Sequence, residues 1–164
     1  MTVSKSQIQI VKNIKYMFEM KSLKLYFESL LDDDDVYLSK TDDVIIKKYI
    51  NDNYTITGNL TISKDHVVDC DGGVYVKNKS ITSLTDGLFS WGKVRTQFDC
   101  NYCDKLETLE GAPKEVGWDF NCCDCKNLKS LEGAPEKIKG FFYCVNCKNL
   151  TITDSDNKKY RLRN

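Results

Sequence analysis

The residues of this chain best equipped for chemistry are its cysteines. There are eight in 164 residues, and six form three Cys-x-x-Cys pairs: Cys100 and Cys103, Cys122 and Cys125, Cys144 and Cys147. That spacing first points to zinc. A zinc site needs four ligands converging at about 2.3 Å on one ion. Thiols that recur at a fixed interval in a stacked chain stand in columns, and columns do not converge. The expectation is therefore buried, reduced thiols that act as small apolar groups with weak hydrogen-bonding capacity, with a zinc-binding regulator as the alternative. Neighbouring rungs about 4.8 Å apart would fall within disulfide range, but a reducing cytosol argues against bridges. Cys123 is expected to point outward and to be the first thiol to react, and Cys70 lies outside the clear repeats.

Other candidates for chemistry are thinner. His66 is the only histidine and stands near Ser63 and Asp69. A nucleophile, base and orienter require long-range geometry that this short separation does not supply. Asp69-Cys70-Asp71-Gly72 opens like a calcium loop, yet a count from Asp69 puts Val74 where the glycine belongs and Ser80 where the glutamate belongs. Asp32-Asp33-Asp34-Asp35 reads as a solvated linker rather than a cation site. No catalytic residue, metal ligand or cofactor is expected, and the chain reads as non-enzymatic.

The elements that position the cysteines are a tandem repeat of 22 residues. The chain runs FDCNYCDKLETLEGAPKEVGWD from Phe98, FNCCDCKNLKSLEGAPEKIKGF from Phe120 and FYCVNCKNLTIT from Phe142. A period of this length is the signature of a solenoid, in which one coil cannot bury its own apolar edge and neighbours must stack. Alternation along a short Phe-x-Cys strand sends Phe98 and Cys100 inward and Asp99 and Asn101 outward. Cys103, Cys125 and Cys147 take the ladder position, then Leu-x-x-Leu carries the chain round and Gly-Ala-Pro turns it. Pro113 and Pro135 suit an unpaired, extended or turn-like return segment. Val74 to Leu84 reads as a degenerate first rung with Asn78 at the ladder position. Tyr54 to Ile62, alternating around Gly58-Asn59, reads as a hairpin or capping strand pair. Thr153 stands where a leucine is expected, and TDSDNKKYRLRN reads as a polar finish.

Upstream, Ile8, Val11, Ile14, Phe18, Leu23, Tyr26, Phe27 and Leu30 are spaced as one or two amphipathic helices over residues 4–31. Such a basic helix would pack on the solenoid or mediate self-association, with a membrane surface as the alternative. A second helix is expected from Thr41, with Asp42 and Asp43 in its first turn, to about Asn51. The fold class is thus α+β: N-terminal helices over residues 1–53, with an acidic linker at 32–35, then a capped leucine-rich-repeat-like β-solenoid with a short parallel sheet over residues 54–164.

VDCDGGVYVKNKSITSL followed by tandem FxCxxCxxLxSLEGAPxxVG repeats resembles leucine-rich-repeat-like proteins encoded by tailed bacteriophages and prophages. The resemblance covers roughly residues 54–152. It implies phage origin and a solenoid fold, and it brings no reaction with it. MKSLKLYFESLLDDDD also resembles leaders of some phage proteins, including internal head proteins. The functional expectation is a protein–protein interaction module for a host or phage protein, with a packaged or structural virion component as the alternative. Its candidate partner surface is the outward strand face: Tyr75, Lys77, Asp99, Asn101, Asn121, Cys123, Tyr143 and Val145. Net charge is zero, so no global electrostatic case for nucleic acid exists. No apolar run approaches the roughly 18 residues of a membrane span, and no signal-peptide core is present. The expected location is the bacterial host cytoplasm or the virion.

Overall fold

A computed structural model of the protein describes residues 34–163, with side chains from residue 42 onward. The amphipathic helices expected over residues 4–31, and any self-association through them, lie outside the described residues. Helix α1 spans Asp34–Asn53. It begins ahead of Thr41, and Asp34 and Asp35 of the expected linker lie within it. The chain divides into compact units at Ile45/Ile46, so the last turns of α1 belong with the solenoid and bury Ile46, Tyr49 and Ile50 in its core. The helix stops at Asn53, whose Nδ2 donates to the Tyr49 carbonyl at 2.9 Å and whose own carbonyl accepts from the N–H groups of Lys77 and Asn78. These bonds satisfy acceptors that a helix end would leave open.

About four solenoid turns follow, and each contributes a short strand to each of two sheets. Sheet A contains β1 (Tyr54–Ile56), β4 (Val74–Val76), β6 (Phe98–Asp99), β8 (Phe120–Asn121), β10 (Phe142–Tyr143) and β11 (Leu162–Arg163). From β4 onward every neighbour is parallel, and Val74, Phe98, Phe120, Phe142 and Leu162 face one another across successive rungs, the three phenylalanines at the 22-residue period and the two end residues off it. Phe98 and Phe120 stack at 5.5 Å with a 3° interplanar angle, and Phe142 lies 5.0 Å beyond Phe120. All three are fully buried. Ladder bonds continue past the strands into the Cys-x-x-Cys corners, with Cys100 N–H donating to Asn121 and Tyr102 N–H to Cys123. The third residue of each corner, Tyr102, Asp124 and Asn146, takes a left-handed φ of 57° to 61° that reverses the chain.

Sheet B corrects the expectation of an unpaired return. It contains β2 (Leu60–Ile62), β3 (Val67–Cys70), β5 (Ser90–Val94), β7 (Glu115–Val116) and β9 (Lys137–Ile138). β3, β5, β7 and β9 are parallel, with Cys70, Val94, Val116 and Ile138 in one inward column. Pro113 and Pro135 sit just before β7 and β9, so their missing N–H groups fall outside the short ladder. The fold is a two-sheet β-solenoid.

Both ends also differ from expectation. β1 and β2 are not a hairpin: β1 pairs antiparallel with β4 and β2 antiparallel with β3, so each strand covers the first edge of a different sheet. Tyr54, on β1, seals the core, with its ring 5.4 Å from Trp91 and its hydroxyl donating to the Leu84 carbonyl. At the other end the supposed polar finish contains helix α2 (Asp154–Lys159) and β11. Thr153 is the N-cap of α2, in a reciprocal capping box with Asp156. Tyr160 then covers the last rung, with its ring 5.0 Å from Phe142 and its hydroxyl donating to the Pro135 carbonyl at 2.9 Å.

Candidate functional site

The outer face of sheet A is built by strand alternation. One row runs Thr55, Tyr75, Asp99, Asn121, Tyr143 and Arg163 across the rungs. Lys77, Asn101, Cys123 and Val145 follow one position beyond the inward column, at the corner. Several of these groups already have work within the fold. Lys77 Nζ donates to the Asn51 carbonyl at the end of α1. Asp99 accepts from the backbone and side-chain amides of Asn101 at 3.0 and 3.2 Å. Asn101 Oδ1 and Asn121 Oδ1 both accept from Cys123 N–H, at 2.6 and 3.3 Å. The Tyr75 hydroxyl accepts from Gln97 Nε2 at 2.9 Å. This half of the face is a rigid hydrogen-bonded platform.

Its C-terminal half is more apolar. Phe141 lies 6.0 Å from Tyr143, and the Arg163 guanidinium sits 4.5 Å over the Phe141 ring. Val145 is 38% exposed, and Tyr102, two rungs earlier at the corner that follows Asn101, is 61% exposed. Tyr102, Phe141 and Arg163 were not among the residues expected here. Arg163 was missed because β11 was read as tail. Tyr102 carried a signal: Asp124 and Asn146 are residue types that tolerate a left-handed turn, and a tyrosine in that column is out of place unless its exposed ring is used.

The cysteines form two inward columns. Cys125 Sγ donates to the Cys100 carbonyl at 3.2 Å and Cys147 Sγ to the Cys122 carbonyl at 3.0 Å. Each thiol thus ties its corner to the rung before it. Among the described residues, no group of three His, Cys, Asp or Glu side chains is arranged to hold a metal ion. The Cys122 thiol, for which the half-buried Cys147 sulfur is the hydrogen-bond acceptor, lowers the pKa of Cys147, whereas desolvation raises that of Cys123. A lowered pKa means more thiolate at a given pH, and thiolate is the nucleophile. Contrary to the expectation for Cys123, Cys147 should be alkylated first by iodoacetamide in the folded protein. Peptide mapping after brief labelling at neutral pH checks this; preferential labelling of Cys123 would refute it.

Ser63 and Asp69 have structural roles that account for them. Ser63 Oγ accepts from Val67 N–H at 3.1 Å, and Asp69 Oδ1 accepts from Lys93 N–H at 2.6 Å across a bulge between β3 and β5. His66 occupies a left-handed turn before β3.

No family model, curated protein or solved structure matches this chain. Among the described residues, no helix is long and apolar enough to cross a membrane. A second surface that sequence reasoning missed lies where sheet B passes the chain to sheet A. There Trp118 is 62% exposed, in a corner column whose neighbours are Thr96 and Gly140. A lone tryptophan in a column of small residues is the signal that could have found it.

Proposed function

We propose that the solenoid is a non-enzymatic protein-binding module that engages a partner through the outer face of sheet A. The observation that carries this reading is the pairing of a rigid polar platform with an exposed aromatic and aliphatic rim. Asp99, Asn101 and Asn121 are held by the sheet's own hydrogen bonds, while Tyr102 and Val145 project at its corner. Little side-chain entropy remains to be lost on the platform, which favours association. Tyrosine and arginine are among the residue types that dominate binding energy at protein interfaces, and this face carries the exposed Tyr102 and, farther along, the half-buried Tyr143 beside Arg163. The resemblance to phage-encoded repeat proteins makes a host or phage protein the partner class.

The test uses the full chain as bait in lysate of a phage-infected bacterial host, beside Tyr102→Ser and Tyr143→Ser baits. A partner retained by the parent chain should bind each variant about tenfold or more weakly. Equal retention by all three baits would place the interface elsewhere.

A further inference from the structure

A recess of about 600 Å³ opens at the corner between the two sheets, away from the outer face of sheet A. Rung register sets its shape. The residues that follow the inward column Cys70, Val94, Val116 and Ile138 are Asp71, Arg95, Gly117 and Lys139, one per rung. Gly117 therefore leaves a notch between two long cations, with Arg95 and Lys139 two rungs, or roughly 10 Å, apart at the backbone. A side chain could not fill that notch: a Cβ on Gly117 would lie 1.9 Å from the Arg95 carbonyl oxygen. Trp118 stands beside the notch, and Lys93 adds a third cation to the lining.

Three of the four carboxylate oxygens in the lining of this recess already accept hydrogen bonds. Both Asp71 oxygens are taken by Asn59, through its backbone N–H and through Nδ2 at 2.9 Å. Asp69 is held by Lys93 N–H. Arg95 acts on Asp71 only as a nearby charge, and among the described residues Lys93, Arg95 and Lys139 form no ion pair. A neutral sugar stacked on Trp118 would need free carboxylate or amide partners, and here Asp71 and Asn59 bind each other. What the recess offers is an exposed π face beside uncommitted cations. We propose that it binds a nucleotide, with the base stacked on Trp118 and the phosphate held between Arg95 and Lys139. Stacking and phosphate pairing are the two contributions that sequence-independent nucleotide and single-strand sites combine.

Tryptophan emission of the full chain tests this directly, because its other indole, Trp91, is only 1% exposed. AMP should quench Trp118 with a Kd of about 1 mM or tighter. Adenosine, inorganic phosphate and hexaglutamate should each bind at least about tenfold more weakly, since each lacks one of the two required features. The Arg95→Gln, Lys139→Gln double variant should lose about tenfold or more in AMP affinity with its urea midpoint unchanged. Hexadeoxyadenylate identifies the source: tighter binding with a steep salt dependence marks a single strand, and affinity equal to AMP marks the free nucleotide. The proposal is overturned if AMP leaves the emission unchanged, if adenosine or hexaglutamate matches AMP, or if the folded double variant binds as before.

Discussion

Phe120→Ala should cost the solenoid about 3–5 kcal/mol, the upper range for emptying a buried aromatic site. Phe120 is fully buried, with Phe98 stacked on one side at 5.5 Å and Phe142 on the other at 5.0 Å. In a chain of stacked coils, stability is close to a sum of terms within each rung and between adjacent rungs. Removing the middle ring weakens two such interfaces at once, and the rungs cannot close the gap because strand pairing fixes their spacing. A domain of ordinary stability, about 5–15 kcal/mol, would lose a large share of it. Urea unfolding followed by circular dichroism measures the effect, with Tyr102→Ala as the exposed control. A Phe120→Ala midpoint that falls no further than the control's would mean that the ring stack does not hold the coils together.

Gly133→Ala is the second large effect, and Gly87→Ala is its internal reference. Both glycines have a left-handed φ, 78° and 72°, so an alanine at either position meets the same conformational penalty of about 1–2 kcal/mol. Their surroundings differ. A Cβ at Gly133 would lie 2.5 Å from both Cα and N of Glu110 in the preceding rung, whereas at Gly87 nothing lies within 4 Å. Backbone cannot rotate aside, so Gly133→Ala must push two coils apart at an additional cost of about 1–3 kcal/mol. Gly111 should fall between them, because its Cβ would meet the Thr85 hydroxyl at 2.8 Å, a side-chain atom that can move. Thermal midpoints should therefore fall least for Gly87→Ala and most for Gly133→Ala. Equal losses at positions 87 and 133 would show that the turn conformation alone requires glycine.

Sheet A was legible in the sequence because Phe98, Phe120 and Phe142 recur at a constant interval, and constant spacing dictates both register and inward direction. Sheet B was not. Glu115–Val116 and Lys137–Ile138 are too short to show alternation, and each pairs only with a segment a full turn away. Pro113 and Pro135 looked like evidence against a strand and instead stand just before one. Gly58-Asn59 gave a local hairpin signal, but the solenoid has two exposed edges at its start, and covering both drew β1 and β2 apart. For the candidate surface, alternation could show which side chains face outward. It could not show that Lys77 or Asn101 already has a partner, because those partners come from other turns of the chain.

The constant return of each coil to the same point also bears on how such a molecule can change over generations. Phe98 and Phe120 occupy equivalent slots in one register, so a tandem duplication of residues 98–119 would insert one complete coil and leave both capping ends as they are. The outer face would then lengthen by one rung, about 4.8 Å, without any new side-chain packing having to arise. Recombination between near-identical repeats could thus alter the reach of the surface in whole steps, a form of variation open to few folds whose cores are closed on all sides.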